Sequence, residues 1–213
     1  MVGYNFEPKE CLDIIREMDI PCVKGNHDAY CSDEVAPDGL NPRASEHVEW
    51  TRQQLTEDDR AWLRSLKYAE GLADFTIVHA RLNLPERWGY VSDKVAAAES
   101  FAHQKTQVCF FGYTHVPVTF IREKGFMRAP VVRGGTYTSF KVERQNQYFV
   151  NVGSVGQPRD GDRRAAYVTY YLVEQVIELR RVPFEVPPND PGNASVPGQP
   201  NRPRPLVTKT AMR

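Results

Sequence analysis

The stretch Lys24-Gly25-Asn26-His27-Asp28 follows the apolar run Ile20-Pro21-Cys22-Val23. The apolar run predicts a short buried strand that ends at Gly25, so the next three polar side chains lie at the carboxyl edge of a sheet. Open α/β sheets bind their ligands at that edge. The three side chains offer an amide oxygen, an imidazole nitrogen, and a carboxylate that can fix the imidazole tautomer. The stretch therefore indicates a functional site, with a plain polar turn as the alternative.

The composition predicts an ordinary globular protein. The chain has 213 residues, of which 41% are hydrophobic and 25% charged, and this suits one domain with or without a tail. Lys+Arg and Asp+Glu both number 27, so the net charge of zero gives no signal for nucleic-acid or membrane-surface binding. The four cysteines form no C-x-x-C pair, and no apolar run approaches the roughly 20 residues that span a bilayer. We therefore expect a reduced, cytoplasmic protein.

The first third of the chain is predicted to be helical. A helix over Pro8–Met18 has Cys11, Ile14, Ile15 and Met18 on one apolar face. Residues 29–40 are rich in turn residues and predict an exposed loop. Two further helices follow: one is capped by Asn41 and runs to about Leu55, and one opens with the capping box Thr56–Asp59 and buries Trp62, Leu63 and Leu66.

Strands dominate the remainder up to Phe184. Phe75–Val78 and Gln107–Phe111 predict buried strands on either side of a helix over Asp93–Gln104 that Ser92 would cap. Alternating segments then predict a run of antiparallel strands at Val118–Arg122, Val131–Arg133, Thr138–Val142, Tyr148–Val152, Ala166–Val173 and Val176–Val182. Together these elements predict an α/β protein with two packed sheets flanked by helices.

The composition changes sharply after Phe184. Residues 186–205 contain seven prolines together with Asn, Gly and Ser, and almost no residue that could build a core. This composition predicts a disordered or polyproline-like tail. A docking segment for a protein partner is the alternative.

Polar groups that suit metals follow three of the predicted strands. Asn26 and His27 follow Val23, His79 follows Val78, and His115 follows the strand that ends near Gly112. Imidazole and amide oxygen together suit Mn, Fe, Co, Ni or Zn better than Ca. The other two histidines, His47 and His103, lie on helical stretches and are interpreted as ordinary surface or core residues.

These motifs resemble those of the calcineurin-like metallophosphoesterases. The segments are G-N-H-D at 25–28, V-H-A at 78–80 and G-Y-T-H-V-P at 112–117, and the stretch 151–162 is similar to one in the small prokaryotic phosphodiesterase branch. The resemblance spans Val2 to about Phe184. It implies a four-layer α/β/β/α sandwich with a two-metal centre between the sheets. It also implies attack by a metal-bound hydroxide on a phosphate-ester small-molecule substrate.

The resemblance also implies a role for each matching residue. Asn26 and His79 would bind one metal, and His115 would bind the other. His27 would stabilise the transition state or protonate the leaving oxygen, and Asp28 would orient His27. The loop over 153–162 would close near the site. Within it Arg159 would contact phosphate, with a purely structural loop as the alternative.

Two departures from the family pattern change the expected metal content. Tyr113 stands where the family has the first His of G-H-T-H, and the D-x-H and G-D motifs of the first strands have no counterpart here. Two dications about 4 Å apart repel by roughly 17 kcal/mol at an effective dielectric of 20, and the matched ligands are all neutral. We therefore expect at most one ion.

The missing motifs also bear on the domain and on the function. We expect residues 1–185 to form a metallophosphoesterase-like domain that lacks the first strand-helix-strand unit, Met1 being internal to a longer protein, and 186–213 to form the tail. The leading hypothesis is hydrolysis of phosphodiesters or phosphomonoesters. The alternatives are a non-catalytic binding protein and an N-terminally truncated gene model.

Overall fold

Helices come first along the chain and most strands come second. The computed structural model describes residues 1–4, 7–33, 40–123 and 131–184. The helices are α1 (Pro8–Met18), α2 (Asn26–Ser32), α3 (Pro42–Gln54), α4 (Glu57–Ser65) and α5 (Lys94–His103), with a 3-10 turn at Pro85–Arg87. The strands are β1 (Ala69–Gly71), β2 (Phe75–Val78), β3 (Val108–Phe111), β4 (Val118–Glu123), β5 (Val131–Gly135), β6 (Ser139–Lys141), β7 (Asn146–Asn151), β8 (Ala165–Tyr171) and β9 (Val176–Val182).

The strands form two sheets, as the sequence predicts. The larger sheet has six strands in the order β1-β2-β3-β7-β4-β5, in which β2, β3 and β7 are parallel and the other pairings are antiparallel. The smaller sheet has the order β6-β9-β8 and is antiparallel. The expected α/β class is confirmed. The mixed sheet places the carboxyl ends of β2 and β3 side by side, which brings the segments after Val78 and Phe111 together.

The six-stranded sheet is buried on both faces. Along β3, Val108 packs towards Ile177 of the smaller sheet, whereas the next residue, Cys109, packs with Phe101 of α5. Strand β7 alternates in the same way, and its Phe149 stacks on the ring of Phe111 at a centroid distance of 4.2 Å. Burial on two faces explains why these strands are continuously apolar in sequence.

Helices α1 to α4 have a core of their own, and it corrects the prediction for α1. The predicted helix bounds are confirmed, but the buried residues are Pro8 and Leu12, while Ile14 and Met18 are 57% and 58% exposed. The polar side of α1 is held against α4, where Arg16 donates to the carboxylates of Asp58 and Asp59. Two residues of the predicted apolar face, Cys11 and Ile15, help to line a cavity of about 820 Å³.

The segment around the first motif also differs from its prediction. Of the expected strand Ile20–Val23, only Val23 pairs, in an isolated parallel bridge with Lys67. The predicted loop over 29–40 begins as helix, because α2 extends to Ser32; residues 34–39 lie outside the described part of the chain. Helix α2 forms there because its amino terminus is capped from within, by the carboxylate of Asp28.

The other helix starts agree more closely with the sequence. Helix α4 begins at the predicted capping box, with Asp59 N donating to Thr56 Oγ1 and Thr56 N donating to the Asp59 carboxylate. The cap of α5 is Asp93 rather than Ser92, since the Asp93 carboxylate accepts from the backbone N–H groups of Val95 and Ala96.

The predicted tail, 186–213, lies outside the described residues. None of the helices described here is both long and apolar enough to cross a membrane.

Candidate active site

The turn at Gly25 directs the first motif into the site. Gly25 N donates to Asp28 Oδ2 at 2.8 Å, and this bond starts α2 at Asn26. A Cβ at Gly25 would lie 3.0 Å from the imidazole of His79, closer than side chains normally pack. A glycine suits this position because His79 approaches the backbone, and this approach brings the segments after Val23 and Val78 together.

Asn26 and His79 are in direct contact. The amide Oδ1 of Asn26 lies 3.0 Å from Nε2 of His79, and Asn26 is buried at the first turn of α2. The backbone oxygen of His79 accepts from Gly112 N at 3.0 Å, which ties the end of β2 to the end of β3. The structure thus brings together the two side chains that the family resemblance assigns to one metal.

His115 is held by the loop that follows β7. Its Nδ1 donates to the carbonyl oxygen of Gln157 at 2.7 Å, which leaves Nε2 with the lone pair. In return, Arg159 N donates to the backbone oxygen of His115 at 3.1 Å. The predicted loop therefore lies at the site and sets the tautomer of His115. The exposed Arg159 side chain donates to Gln157 Oε1.

His27 has a buried nitrogen without a hydrogen-bond partner. Its Nδ1 is inaccessible to solvent and unpaired among the described residues. The ring of Tyr4 packs against it at a centroid distance of 4.1 Å. Gly3, at φ +92°, passes so close that a Cβ there would be 2.5 Å from this nitrogen. A buried nitrogen without a partner is uncommon in proteins, and this one is covered by the backbone at Gly3.

Asp28 does not have the expected bond to His27. Its carboxylate is almost fully buried and accepts from the Met1 ammonium at 2.7 Å, Val2 N at 3.2 Å and Gly25 N at 2.8 Å. Burial acts to raise the pKa of Asp28, but these donors outweigh it and hold that pKa below its usual value. Its physical role is to cap α2 and position the two residues before it.

The three imidazoles of the site are neutral at neutral pH. Burial lowers the pKa of His27, His79 and His115 to about 4 in each case; the Asp28 carboxylate opposes this shift for His27 and His79, and Arg159 adds to it for His115. Neutral imidazole is the form that ligates metals, so burial prepares these side chains as electron-pair donors.

The same shifts predict an acid-sensitive stability. Because the unfolded chain binds more protons than the folded chain, the free energy of unfolding should fall as pH drops from 6.5 to about 4. The slope should be at most about 1.4 kcal/mol per pH unit for each histidine. Urea titrations across this range test the prediction, with a double variant of His79→Gln and His115→Gln expected to flatten the slope. A matched His103→Gln variant, changed on the exposed end of α5, should keep it.

Tyr113 occupies the remaining position of the third motif. Its backbone has φ +65°, and its ring stacks on Tyr90 at 4.4 Å and lies 5.4 Å from the ring of His79. Burial, reinforced by Tyr90, raises the pKa of the Tyr113 phenol well above its usual value. The phenol is therefore neutral and a weak metal ligand in this state.

The donors present fit one divalent ion better than two. His79 and Asn26 touch and His115 has a free Nε2, but all three groups are uncharged. The nearby carboxylate, Asp28, is engaged by the backbone N–H groups of Val2 and Gly25. Among the described residues no group of three or more His, Cys, Asp or Glu side chains is arranged to hold a metal. The described residues of the site therefore offer no further negative charge to offset that of a second ion.

A second cavity, of about 410 Å³, opens beside His27 and His115. Most of the aromatic residues around it were not predicted from the sequence as part of a site. The position of Tyr30 could have been predicted, because it lies three residues after His27 on α2 and so shares the face of the helix that His27 occupies. No sequence pattern predicted Tyr90 or His47 at the site, since these residues reach the cavity from distant segments of the chain. His47, interpreted as an ordinary residue, is buried and lies 5.7 Å from the ring of Tyr4.

Comparisons with known proteins agree with the motifs. The family model of the calcineurin-like phosphoesterase superfamily domain matches residues 4–175. An uncharacterised protein of Methanocaldococcus jannaschii is 28% identical over 191 residues, which cover 87% of this chain and 74% of that protein.

Two solved structures show the same fold. The crystal structure of a metallophosphoesterase from Sphaerobacter thermophilus is similar at a TM-score of 0.66 and 32% identity, over 84% of this chain and 72% of that one. A hypothetical protein from Pyrococcus horikoshii shares the fold at a TM-score of 0.64 and 12% identity, over 86% of this chain and 72% of that one. The chain belongs to the calcineurin-like phosphoesterase superfamily.

Proposed function

We propose that this protein is a metal-dependent phosphoesterase that hydrolyses phosphodiesters or phosphomonoesters at the site formed by Asn26, His27, His79 and His115. The observation that carries the proposal is the convergence of three neutral imidazoles and a buried amide where β2 and β3 end. The family generally uses divalent metals, and its substrates are small phosphate esters.

Asn26, His79 and His115 would hold a single divalent ion such as Mn, Fe, Co, Ni or Zn. A divalent ion in this position supplies a nucleophilic water at neutral pH and neutralises charge on the phosphoryl oxygens. The hydrogen bond from His115 Nδ1 to Gln157 supports this role, because it directs the free lone pair of Nε2 away from the loop. The contact between Asn26 and His79 keeps those two donors together.

His27 would carry the proton for the leaving group. Its low pKa means that the free site is uncharged, but a bound phosphate is anionic and raises the pKa of a nearby imidazole. His27 would therefore take up a proton on substrate binding and donate it to the leaving oxygen. Tyr4 and Gly3 hold the ring in place, and Asp28 positions it through the start of α2. Arg159, at the rim, would contact the phosphate.

Hydrolysis of bis(p-nitrophenyl) phosphate tests the proposal. Release of p-nitrophenol should increase on addition of Mn²⁺ and should disappear in a His79→Ala variant that still folds. The matched control is His103→Ala, an exposed histidine on α5, which should behave like the unchanged protein. Metal-independent release, or full activity in His79→Ala, would contradict the proposal.

A non-catalytic binding protein is the second candidate. It is favoured by Tyr113 at a ligand position and by the engagement of Asp28 with backbone donors. It predicts that no divalent metal stimulates hydrolysis although phosphate esters still bind.

Tyr113→His should strengthen metal binding. The substitution would place an imidazole beside the ring of His79, where a phenol of raised pKa now stands. We expect at least about tenfold tighter Mn²⁺ binding, the size of effect seen when ligand surroundings change. Tyr113→Phe, which keeps the ring and adds no donor, is the control. Isothermal titration calorimetry measures the Mn²⁺ affinity of both variants. Equal affinities would show that a side chain at position 113 does not reach the metal.

We further infer a cytoplasmic location, supported by four cysteines that are all free thiols. Residues 1–185 would form the phosphoesterase domain, and 186–213 a tail that either stays disordered or docks a partner protein.

A further inference from the structure

The cavity beside His27 is unusually rich in aromatic side chains. We call it the tyrosine pocket, and its defining residues are Tyr4, Tyr30, Tyr90 and Tyr113. They come from four separate segments: the amino terminus, α2, the stretch before α5 and the stretch after β3. The volume of about 410 Å³ lies within the range of small-molecule sites. Asn26, His27 and His115 line the same cavity, so a ligand there reaches the proposed catalytic groups.

One aromatic wall of the tyrosine pocket is open to solvent. Tyr90 is 58% exposed, yet its ring is held in a stacked position on Tyr113, with an angle of 27° between the rings. Tyr30 lies near this pair: burial raises the pKa of the Tyr30 phenol and Tyr90 adds to that rise, while Tyr30 in turn adds to the raised pKa of Tyr113. Tyr30 also contacts the ring of His27, at a centroid distance of 5.8 Å. A rigid, exposed ring beside further aromatic groups is suited to stacking on a planar ligand.

The charge of the tyrosine pocket favours an anion. Arg159 lines it, and none of the described lining residues is acidic. The guanidinium acts on the groups inside, since it contributes to lowering the pKa of His115. Aliphatic surface is limited among the described lining residues to Leu40 and Ala44, which does not suit a lipid chain. Aromatic walls next to a cation and a proton carrier suit a ligand with a planar ring system and a phosphate.

We propose that the tyrosine pocket binds the base of a nucleotide, so that the substrates of the site are phosphate esters of nucleosides. This inference rests on the proposed function, since it assigns the phosphate of the same ligand to the site at His27 and His115. The base stacks on Tyr90 at the open wall, and the phosphate lies between Arg159 and His27. Tyrosine hydroxyls within the pocket supply polar contacts to the edge of the base.

Equilibrium binding of two phosphate esters tests this inference without turnover. Adenosine monophosphate and ribose 5-phosphate carry the same phosphate and differ by the base, and both are titrated calorimetrically into the metal-free protein. We expect adenosine monophosphate to bind more tightly, with a roughly 5- to 100-fold loss in Tyr90→Leu, the range for one lost stacking partner. Ribose 5-phosphate should bind equally to both proteins.

Two further variants separate stacking from general damage. Tyr90→Phe keeps the ring and should keep the affinity for adenosine monophosphate. Tyr167→Leu removes a similarly exposed tyrosine from β8, far along the chain from the pocket, and should change neither affinity. Equal binding of the two esters, an equal loss of both in Tyr90→Leu, or binding of neither would overturn the inference.

The outcomes also separate this inference from the proposed function. A base-dependent affinity without metal-stimulated hydrolysis would contradict the enzyme and support the pocket. Metal-stimulated hydrolysis of the aryl diester with no preference for adenosine monophosphate over ribose 5-phosphate would contradict only the pocket.

Discussion

Replacing His27 with glutamine is expected to lower kcat for an alkyl phosphodiester by about 10²- to 10⁴-fold, the usual contribution of a positioned general acid. The reason is that His27 lines the same cavity as Asn26 and His115, with its ring held in place by Tyr4 and Gly3. Glutamine keeps a polar side chain of similar reach but carries no transferable proton. The affinity for Mn²⁺ should remain unchanged, because His27 is not among the proposed ligands.

The comparison with a second substrate sharpens this prediction. An ester whose leaving group needs little protonation, such as a p-nitrophenyl ester, should lose less than an alkyl ester of the same type. An equal loss for both esters would contradict the acid role of His27. A His27→Gln enzyme that keeps full activity on the alkyl ester would contradict its place in the mechanism altogether.

Asp28→Ala is expected to produce the largest loss of stability, about 2–4 kcal/mol, from one lost helix cap and buried N–H groups left without an acceptor. Asp28 is 2% exposed and accepts from Gly25 N and Val2 N at the start of α2. Without it, Gly25 loses the bond that begins the helix, so Asn26 and His27 should lose their positions as well. The free energy of unfolding by urea measures the effect.

Asp58→Ala is the matched control for this loss. Asp58 also forms an ion pair, with Arg16, but its side chain is 79% exposed. Exposed pairs contribute about 0–1 kcal/mol, so the control should unfold near the midpoint of the unchanged protein. Equal stability of the Asp28→Ala and Asp58→Ala variants would contradict the capping role of Asp28.

Local patterns in the sequence predicted most of the elements. Helix α1 has the predicted bounds, β2 and β9 begin and end as predicted, and the capping box at Thr56 opens α4. These elements follow from caps and hydrophobic periods that act over a few residues. The motif histidines were also located by local signals, because each follows an apolar run.

Features that depend on distant contacts were not predictable in the same way. The apolar face of α1 is a correct helical period, but its burial depends on what α1 packs against, and the structure buries Leu12 instead. Helix α2 was missed because its cap is Asp28, a residue whose carboxylate the motif had suggested for catalysis. Tyr90 and His47 reach the tyrosine pocket from segments with no signal of their own.

The number of Mn²⁺ ions bound per chain tests the central claim most directly. Electron paramagnetic resonance counts free Mn²⁺ in a titration of the protein, of a His79→Ala variant and of a His115→Ala variant. We expect a single ion in the unchanged protein, with binding lost or strongly weakened in both variants, because neutral donors cannot offset a second charge. Two ions per chain, or one ion that binds equally without His79 and His115, would contradict it.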